Sequence, residues 1–204
     1  VLAGRLVQRG NDLSISAELV KVADGSQLWG EQYRRRVADI FAIQEEIGRE
    51  ISEQLRLGLT REQKQQLAKR HTQNLAAYQE YLKGRYFWNR RTAAALQTAI
   101  GHFEKAIALD PGYALAYYGL AEYYWSQAFY AAVPPRDLLL RGKAAAAKAL
   151  ELDETLAEGH AMLGNFRALL DFDWPGGEQE FRRAFELDPG SAVSHDRYGM
   201  YFLQ

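Results

Sequence analysis

The chain has 204 residues, 48% of them hydrophobic, enough to bury one large core or two small ones. Lys and Arg total 25 against 26 Asp and Glu, so the net charge of −1 supplies no whole-chain field for nucleic acid or an acidic membrane. Cysteine is absent, which excludes a disulfide framework and thiolate chemistry, and no apolar run approaches the ~20 residues of a membrane span.

The chain opens inside an expected strand (Val1-Leu2-Ala3-Gly4) and stops inside an expected helix (Tyr198 to Gln204), so it reads as a fragment of a longer protein. No signal peptide opens it, and no feature assigns a compartment. The reading leans to the cytoplasm, with the envelope side open should a transmembrane segment precede the fragment.

Residues 1–36 read as a three-stranded antiparallel meander. Leu13, Ile15, Ala17 and Leu19 alternate with Ser14, Ser16, Glu18 and Val20, the period of a half-buried strand. Arg9-Gly-Asn-Asp12 and Ala23-Asp-Gly-Ser26 carry the Gly and Asn/Asp that tight turns need. A third strand over Gln27 to Tyr33 carries Trp29. A helix follows, with Asp39 as its expected cap and Ile40, Ile43, Ile47, Ile51 and Leu55 on one stripe to cover the sheet. Thr60 and Gln63 fit a capping box, which predicts a polar connecting helix within 60–75.

From Ala76 the chain repeats itself. Phe103-Glu-Lys-Ala-Ile-Ala-Leu-Asp-Pro111 returns over 146–154 and again over 181–189, with Ala106/Ala149/Ala184 and Asp110/Asp153/Asp188 in equivalent slots. The spacing is 43 residues from Pro111 to Glu154 and 35 from Glu154 to Pro189. A period near ~34 residues with this pattern reads as the helix–turn–helix tetratricopeptide repeat (TPR). About three and a half units fit within 76–204, the second with an expanded turn holding Pro134-Pro135 and the fourth cut after its first helix. Gly84, Ala121, Gly164 and Gly199 are the small residues expected where two helices approach, and Phe103 and Phe181 the fillers between hairpins. Ala146 replaces that aromatic in the second unit, so a neighbour such as Trp125 must fill its space. Asp173 is the expected cap of the helix that holds Pro175 in its first turn.

The expected fold is therefore mainly α: a TPR superhelix preceded by a small β-meander and helix. Residues 77–204 resemble the TPR family. The phrases Leu82-Lys-Gly-Arg-Tyr-Phe-Trp-Asn-Arg-Arg91 and Asp171-Phe-Asp-Trp174 resemble carboxy-terminal regions of multidomain bacterial signalling proteins. In that group the effector is a Ser/Thr kinase, a class III nucleotide cyclase or a winged-helix regulator of the CadC type. Val1-Leu-Ala-Gly-Arg-Leu6, Ile15-Ser-Ala-Glu-Leu-Val20, Leu28-Trp29 and Asp39-Ile-Phe-Ala-Ile-Gln-Glu-Glu-Ile47 resemble the second half of a TolB-amino-terminal-like α/β domain, here 1–59. The resemblance implies a regulatory or assembly module without a catalytic centre in these residues; no cofactor or metal is expected.

The residues carry no phosphate loop, His-Glu-x-x-His or Gly-x-Ser-x-Gly elbow. His160 and His195 share a repeat slot, and repeat geometry explains the coincidence more simply than metal binding. Arg34-Arg35-Arg36 and Arg90-Arg91 are flanked by acids and read as turn and surface charge, which argues against nucleic acid. What remains is a protein or peptide partner.

Carried over residue by residue from the family, the concave row holds Tyr78, Tyr81, Arg85 and Trp88, then Leu115, Tyr118, Glu122 and Trp125. Glu158, Ala161, Asn165 and Ala168 follow, with Val193, Asp196 and Met200 in the last helix. Family members that clamp a terminal carboxylate use Lys and Asn where Tyr81 and Arg85 stand, which argues against that ligand. For Tyr118 and Trp125, packing inside the hairpins competes with the groove reading. The alternative function is small-molecule sensing by the α/β part. Self-association is also expected, through Tyr201 and Leu203 of the terminal helix or through the open strand at Val1, with no direct membrane contact.

Overall fold

Alternating apolar and polar side chains build the strands of the first part, and glycine closes the turns between them. The computed structural model describes residues 1–54, 69–130 and 136–202. β1 (Leu2–Arg9), β2 (Asp12–Val20) and β3 (Gln27–Arg36) form an antiparallel sheet in that order. Gly10 and Gly25 hold the turns at φ +61° and +70°, where a Cβ would strain the backbone. The register pairs Leu6 with Ile15 and Ile15 with Tyr33, so Leu13, Ala17, Leu19 and Tyr33 share one buried face.

A 3-10 turn, Val37–Asp39, leads into α1 (Ile40–Gln54), whose Ile40 and Ile43 are buried. Asp39 does not cap α1 as expected. It belongs to the 3-10 turn, and its carboxylate accepts from the Arg36 backbone N–H at 3.3 Å. Tyr33 donates its hydroxyl to Glu50 at 2.6 Å and so ties β3 to α1. Burial, with that carboxylate beside it, holds the Tyr33 phenol well above its ordinary pKa.

The chain divides into two compact units, Val1–Arg70 and His71–Gln204. The connecting helix expected within 60–75, with its Thr60/Gln63 cap, falls largely on 55–68, outside the described residues. Residues 69–74 are not helical. The second unit is a run of helices: α2 (Leu75–Trp88), α3 (Ala93–Leu109), α4 (Ala114–Tyr130), α5 (Arg136–Leu152), α6 (Ala157–Phe166), α7 (Trp174–Leu187) and α8 (Ala192–Tyr201). They pair as hairpins α2/α3, α4/α5 and α6/α7, with α8 against α6.

Short polar side chains start the helices. Asn74, Thr92, Asp173 and Ser191 accept from the backbone N–H of Ala77, Ala95, Gly176 and Ser194 at 3.1, 3.3, 3.0 and 3.2 Å. The repeated Leu-Asp turns are closed by their own aspartates. Asp110 accepts from Gly112 N–H at 3.0 Å, Asp153 from Thr155 N–H at 3.1 Å and Asp188 from Gly190 N–H at 3.0 Å. A π-turn, Arg167–Asp171, ends at Phe172 with φ +55°.

Buried aromatics hold the hairpins in register. A Cβ on Gly84 would lie 2.5 Å from the Phe103 ring and one on Gly119 2.7 Å from it, so Phe103 is wedged between α2 and α4. Phe181 repeats the arrangement at Gly164, where an added Cβ would meet the ring at 2.9 Å and the Gly177 carbonyl at 3.0 Å. In the second hairpin, Phe166 of α6 fills the space left by Ala146. It packs over Gly142 and meets Trp125 edge-on at 5.2 Å. Trp125 thus compensates in part, together with an aromatic from the next hairpin.

Two expectations fail in α8. Gly199 has nothing within 4 Å of a Cβ position, because no described helix lies over it. Tyr201 is not presented for a second copy: it is buried against Phe181 and Trp174, each at 5.2 Å, and its hydroxyl donates to the Trp174 carbonyl at 3.0 Å. Leu203 lies outside the described residues.

Phe181→Ala should cost about 3–5 kcal/mol. Gly164→Ala should also destabilise, whereas Gly199→Ala should stay within about 1 kcal/mol of the parent. Urea unfolding of the three variants gives the order, and a destabilised Gly199→Ala would contradict the open face.

Candidate functional site

Glu122 is the lone acid in the aromatic run of α4, and it organises the centre of the expected groove. It is buried, and a buried carboxylate needs cationic partners. Arg85 of α2 pairs with its Oε2, and Arg197 of α8 places Nη2 3.6 Å from its Oε1. Burial works against the Arg85 charge, but the Glu122 carboxylate together with the Tyr81 and Tyr118 phenols outweighs it, and the guanidinium pKa is raised.

Arg197 comes from α8, which packs against α6, and small side chains line α6 and the π-turn that follows it. Ala161, Asn165 and Ala168 are fully buried along that stretch. Asn165 donates Nδ2–H to the Arg197 carbonyl at 3.0 Å and so positions the backbone that carries the guanidinium. Tyr118 lies in the same cluster. Its phenol is pushed well above the ordinary value by burial and by Glu122, and among the described residues its hydroxyl has no hydrogen-bond partner.

The structure therefore divides the expected row. Trp88 is not a groove residue: it is 1% exposed, packed with Leu96, Ala99, Ile100 and Phe103, and capped by the Arg91 guanidinium 4.4 Å from its ring centroid. Trp125 and Tyr118 belong to the buried core around Ala146 and Phe166. Glu122 and Asn165 are buried polar groups that serve each other's neighbours. Tyr78, Tyr81, Arg85 and Glu158 are half-buried, and Asp196 is exposed. Tyr81 packs against Phe103 and Tyr113, with ring centroids 6.0 and 5.2 Å apart. Burial lifts its phenol to about 12.

Arg197 and Phe166 are the residues that sequence reasoning missed. Arg197 stands one position outside the expected row. The signal that could have found it was Glu122 itself, an acid with aromatic neighbours that required cations.

The basic pairs and histidines are used locally. Arg90 lies over the Tyr86 ring at 4.9 Å, and Arg35 pairs with Glu46 at 3.5 Å. His160 contacts the Glu180 carboxylate at 2.6 Å and the Glu154 carbonyl at 2.9 Å, while His195 stacks on Phe185 at 4.7 Å. Among the described residues no group of three or more His, Asp or Glu is arranged to hold a metal ion, and no helix is long and apolar enough to cross a membrane.

No protein-family model matches the chain. A Rhizobium meliloti (strain 1021) protein named "Putative adenylate cyclase 3" is 30% identical over 121 residues, which is 59% of this chain and 21% of that protein. The match thus spans about a fifth of that relative's length. Among solved structures, the first TPR of Spaghetti (RPAP3) bound to an HSP90 peptide matches with a TM-score of 0.50 at 15% identity, covering 66% of this chain and 97% of that one. The Arabidopsis OM64 TPR domain matches with a TM-score of 0.49 at 16% identity, covering 63% and 95%. The first likeness, with the hairpin geometry above, shows a TPR fold.

Glu122→Ala should destabilise by about 3–5 kcal/mol, because it leaves the buried Arg197 and the half-buried Arg85 without their counter-ion. Replacing Arg85, Glu122 and Arg197 together by Met, Leu and Met should recover most of that loss, as denaturant midpoints will show. Tyr81 gives a pH test. Its folded pKa is above its unfolded value of 10.0, so its contribution is intact below pH 10 and is lost as pH rises towards about 12. Tyr81→Phe should lose less stability than the parent between those limits; equal losses would remove Tyr81 from the account.

Proposed function

We infer that the repeat unit is a protein-interaction module without chemistry of its own, which receives an extended peptide or a partner's helix on its concave face. The carrying observation is the first-helix row, where half-buried Tyr78, Tyr81 and Arg85 lie at one end and Glu158 and exposed Asp196 at the other. Tyrosines offer rigid apolar area with a polar tip, the kind of group that anchors a partner. The acidic end favours a basic residue of the same partner. The centre, closed by Glu122 and its two arginines, acts as a rigid floor.

The Spaghetti TPR, solved with an HSP90 peptide, supports peptide binding as a use of this fold. The named cyclase relative supports a place at the regulatory end of a bacterial signalling protein. In this reading the Val1–Arg70 unit, which resembles a TolB-like half domain, links occupancy of the repeats to an effector.

Selection from a random peptide display library against the 204-residue chain tests the groove. Selected peptides should carry an aromatic or apolar residue followed by a basic one. Tyr78→Ala or Asp196→Lys should weaken them about tenfold, and Tyr86→Ala, on an exposed side chain outside the row, should not. Peptides that bind all three variants equally would place the interaction elsewhere.

A further inference from the structure

Each junction between hairpins leaves a carboxylate oxygen to spare, because Asp110, Asp153 and Asp188 close their own turns through Oδ1. The short segment 71–74, which leads into α2, takes up the Oδ2 atoms of the first two. Buried Thr72 donates its hydroxyl to Asp110 Oδ2 at 2.5 Å, and His71 places Nδ1 3.5 Å from Asp153 Oδ2.

These contacts divide between two hairpins. Asn74 caps α2 through Ala77 N–H, donates Nδ2–H to the Leu109 carbonyl at 2.8 Å, and gives its backbone N–H to Thr72 Oγ at 3.0 Å. Leu109 and Asp110 end α3, so Thr72 and Asn74 lock the strap to the first hairpin. His71 reaches past it, to Asp153 at the end of the second. Capping of α2 accounts for Thr72 and Asn74. It does not account for His71.

The strap and the concave face share α2. That helix carries Tyr78, Tyr81 and Arg85, and Arg85 ties it to Glu122 of α4. A partner that draws on those side chains shifts α2 against the second hairpin, and the strap moves with it through Asn74. Packed helices slide by about 1–2 Å in such transitions, enough to separate a pair 3.5 Å apart.

We propose that residues 71–74 are a coupling strap, in which His71 rests on Asp153 in one arrangement and leaves it when α2 is displaced. Release frees the chain one peptide bond after Arg70, where the first unit ends. The proposal rests on the reading of the concave face given above and supplies the residues that carry occupancy of that face towards the first unit.

The test is the ring signal of His71 in NMR spectra of the 204-residue chain at one pH. His71→Gln identifies it among the four histidines. Asp153→Asn, which keeps the turn-closing oxygen, marks its released position. Arg85→Met frees α2 from Glu122 while Arg197 still faces that carboxylate, and should move the signal towards the released position. Thr72→Val, which unlocks the strap from Asp110, should do the same, and Gly199→Ala on α8 should not. Circular dichroism monitors the fold, and Arg85→Lys, a milder change at the same contact, gives the comparison should Arg85→Met unfold. A His71 signal indifferent to Asp153→Asn, or one that keeps its parent position when Arg85 is replaced, would overturn the proposal. No peptide is needed, so this outcome is separate from that of the peptide selection: a chain that binds peptides but whose His71 signal ignores Arg85 keeps its groove and loses the coupling strap.

Discussion

The repeat unit depends on one steric arrangement, an aromatic ring seated where a neighbouring helix has no side chain. Phe103 lies against Gly84 and Gly119, Phe181 against Gly164, and Phe166 against Gly142. Each ring fills a volume that only glycine leaves open, so size and position are specified together. Changing either partner leaves a cavity or a clash, and both are costly in a close-packed interior. The arrangement fixes the distance between helices, and every other contact of the unit is built on that distance. The second hairpin shows that the constraint is on volume and not on chain position. Where Ala146 leaves space, the ring comes from the following helix.

Periodic features were legible in the sequence because they report local geometry. Alternation at Leu13, Ala17 and Leu19 marked the buried face of β2, and the recurring Asp110, Asp153 and Asp188 marked the hairpin junctions. Features set by tertiary neighbours were not legible. Trp88 and Trp125 occupy slots that face a groove in the family, yet wide rings near Ala99 and Ala146 sink into the space those small residues leave. Tyr201 looked exposed in a helix lacking its partner, but Trp174 at the start of α7 covers it. Asp39 satisfied a capping pattern, and α1 does begin at Ile40, but the backbone takes a 3-10 turn first and the Asp39 carboxylate closes that turn by accepting from Arg36 N–H.

The Arg85–Glu122–Arg197 cluster changes what the concave face can be. A groove lined by mobile side chains adapts to its ligand at an entropic cost. Here the central charges are already paired, Glu122 and Arg197 are buried, and Asn165 holds the backbone that delivers one of them. The cluster links the first helices of two hairpins, α2 and α4, with the terminal helix α8, so it also resists a change in the curvature of the stack. In the reading proposed above, such a face selects partners that match its shape as it stands.

The self-closing aspartate turns have a consequence for how the chain folds. Asp110, Asp153 and Asp188 each bond to a backbone amide two residues ahead, so each junction between hairpins has a closing bond that needs no distant residue. The ring-into-glycine contacts likewise join elements close in sequence. A topology made of near-neighbour contacts has a small loop-closure cost, and such chains fold quickly. Any hairpin can serve as the starting point, with structure spreading to either side. A repeat emerging from the ribosome can therefore order against the one before it, well before the last helix has been synthesised.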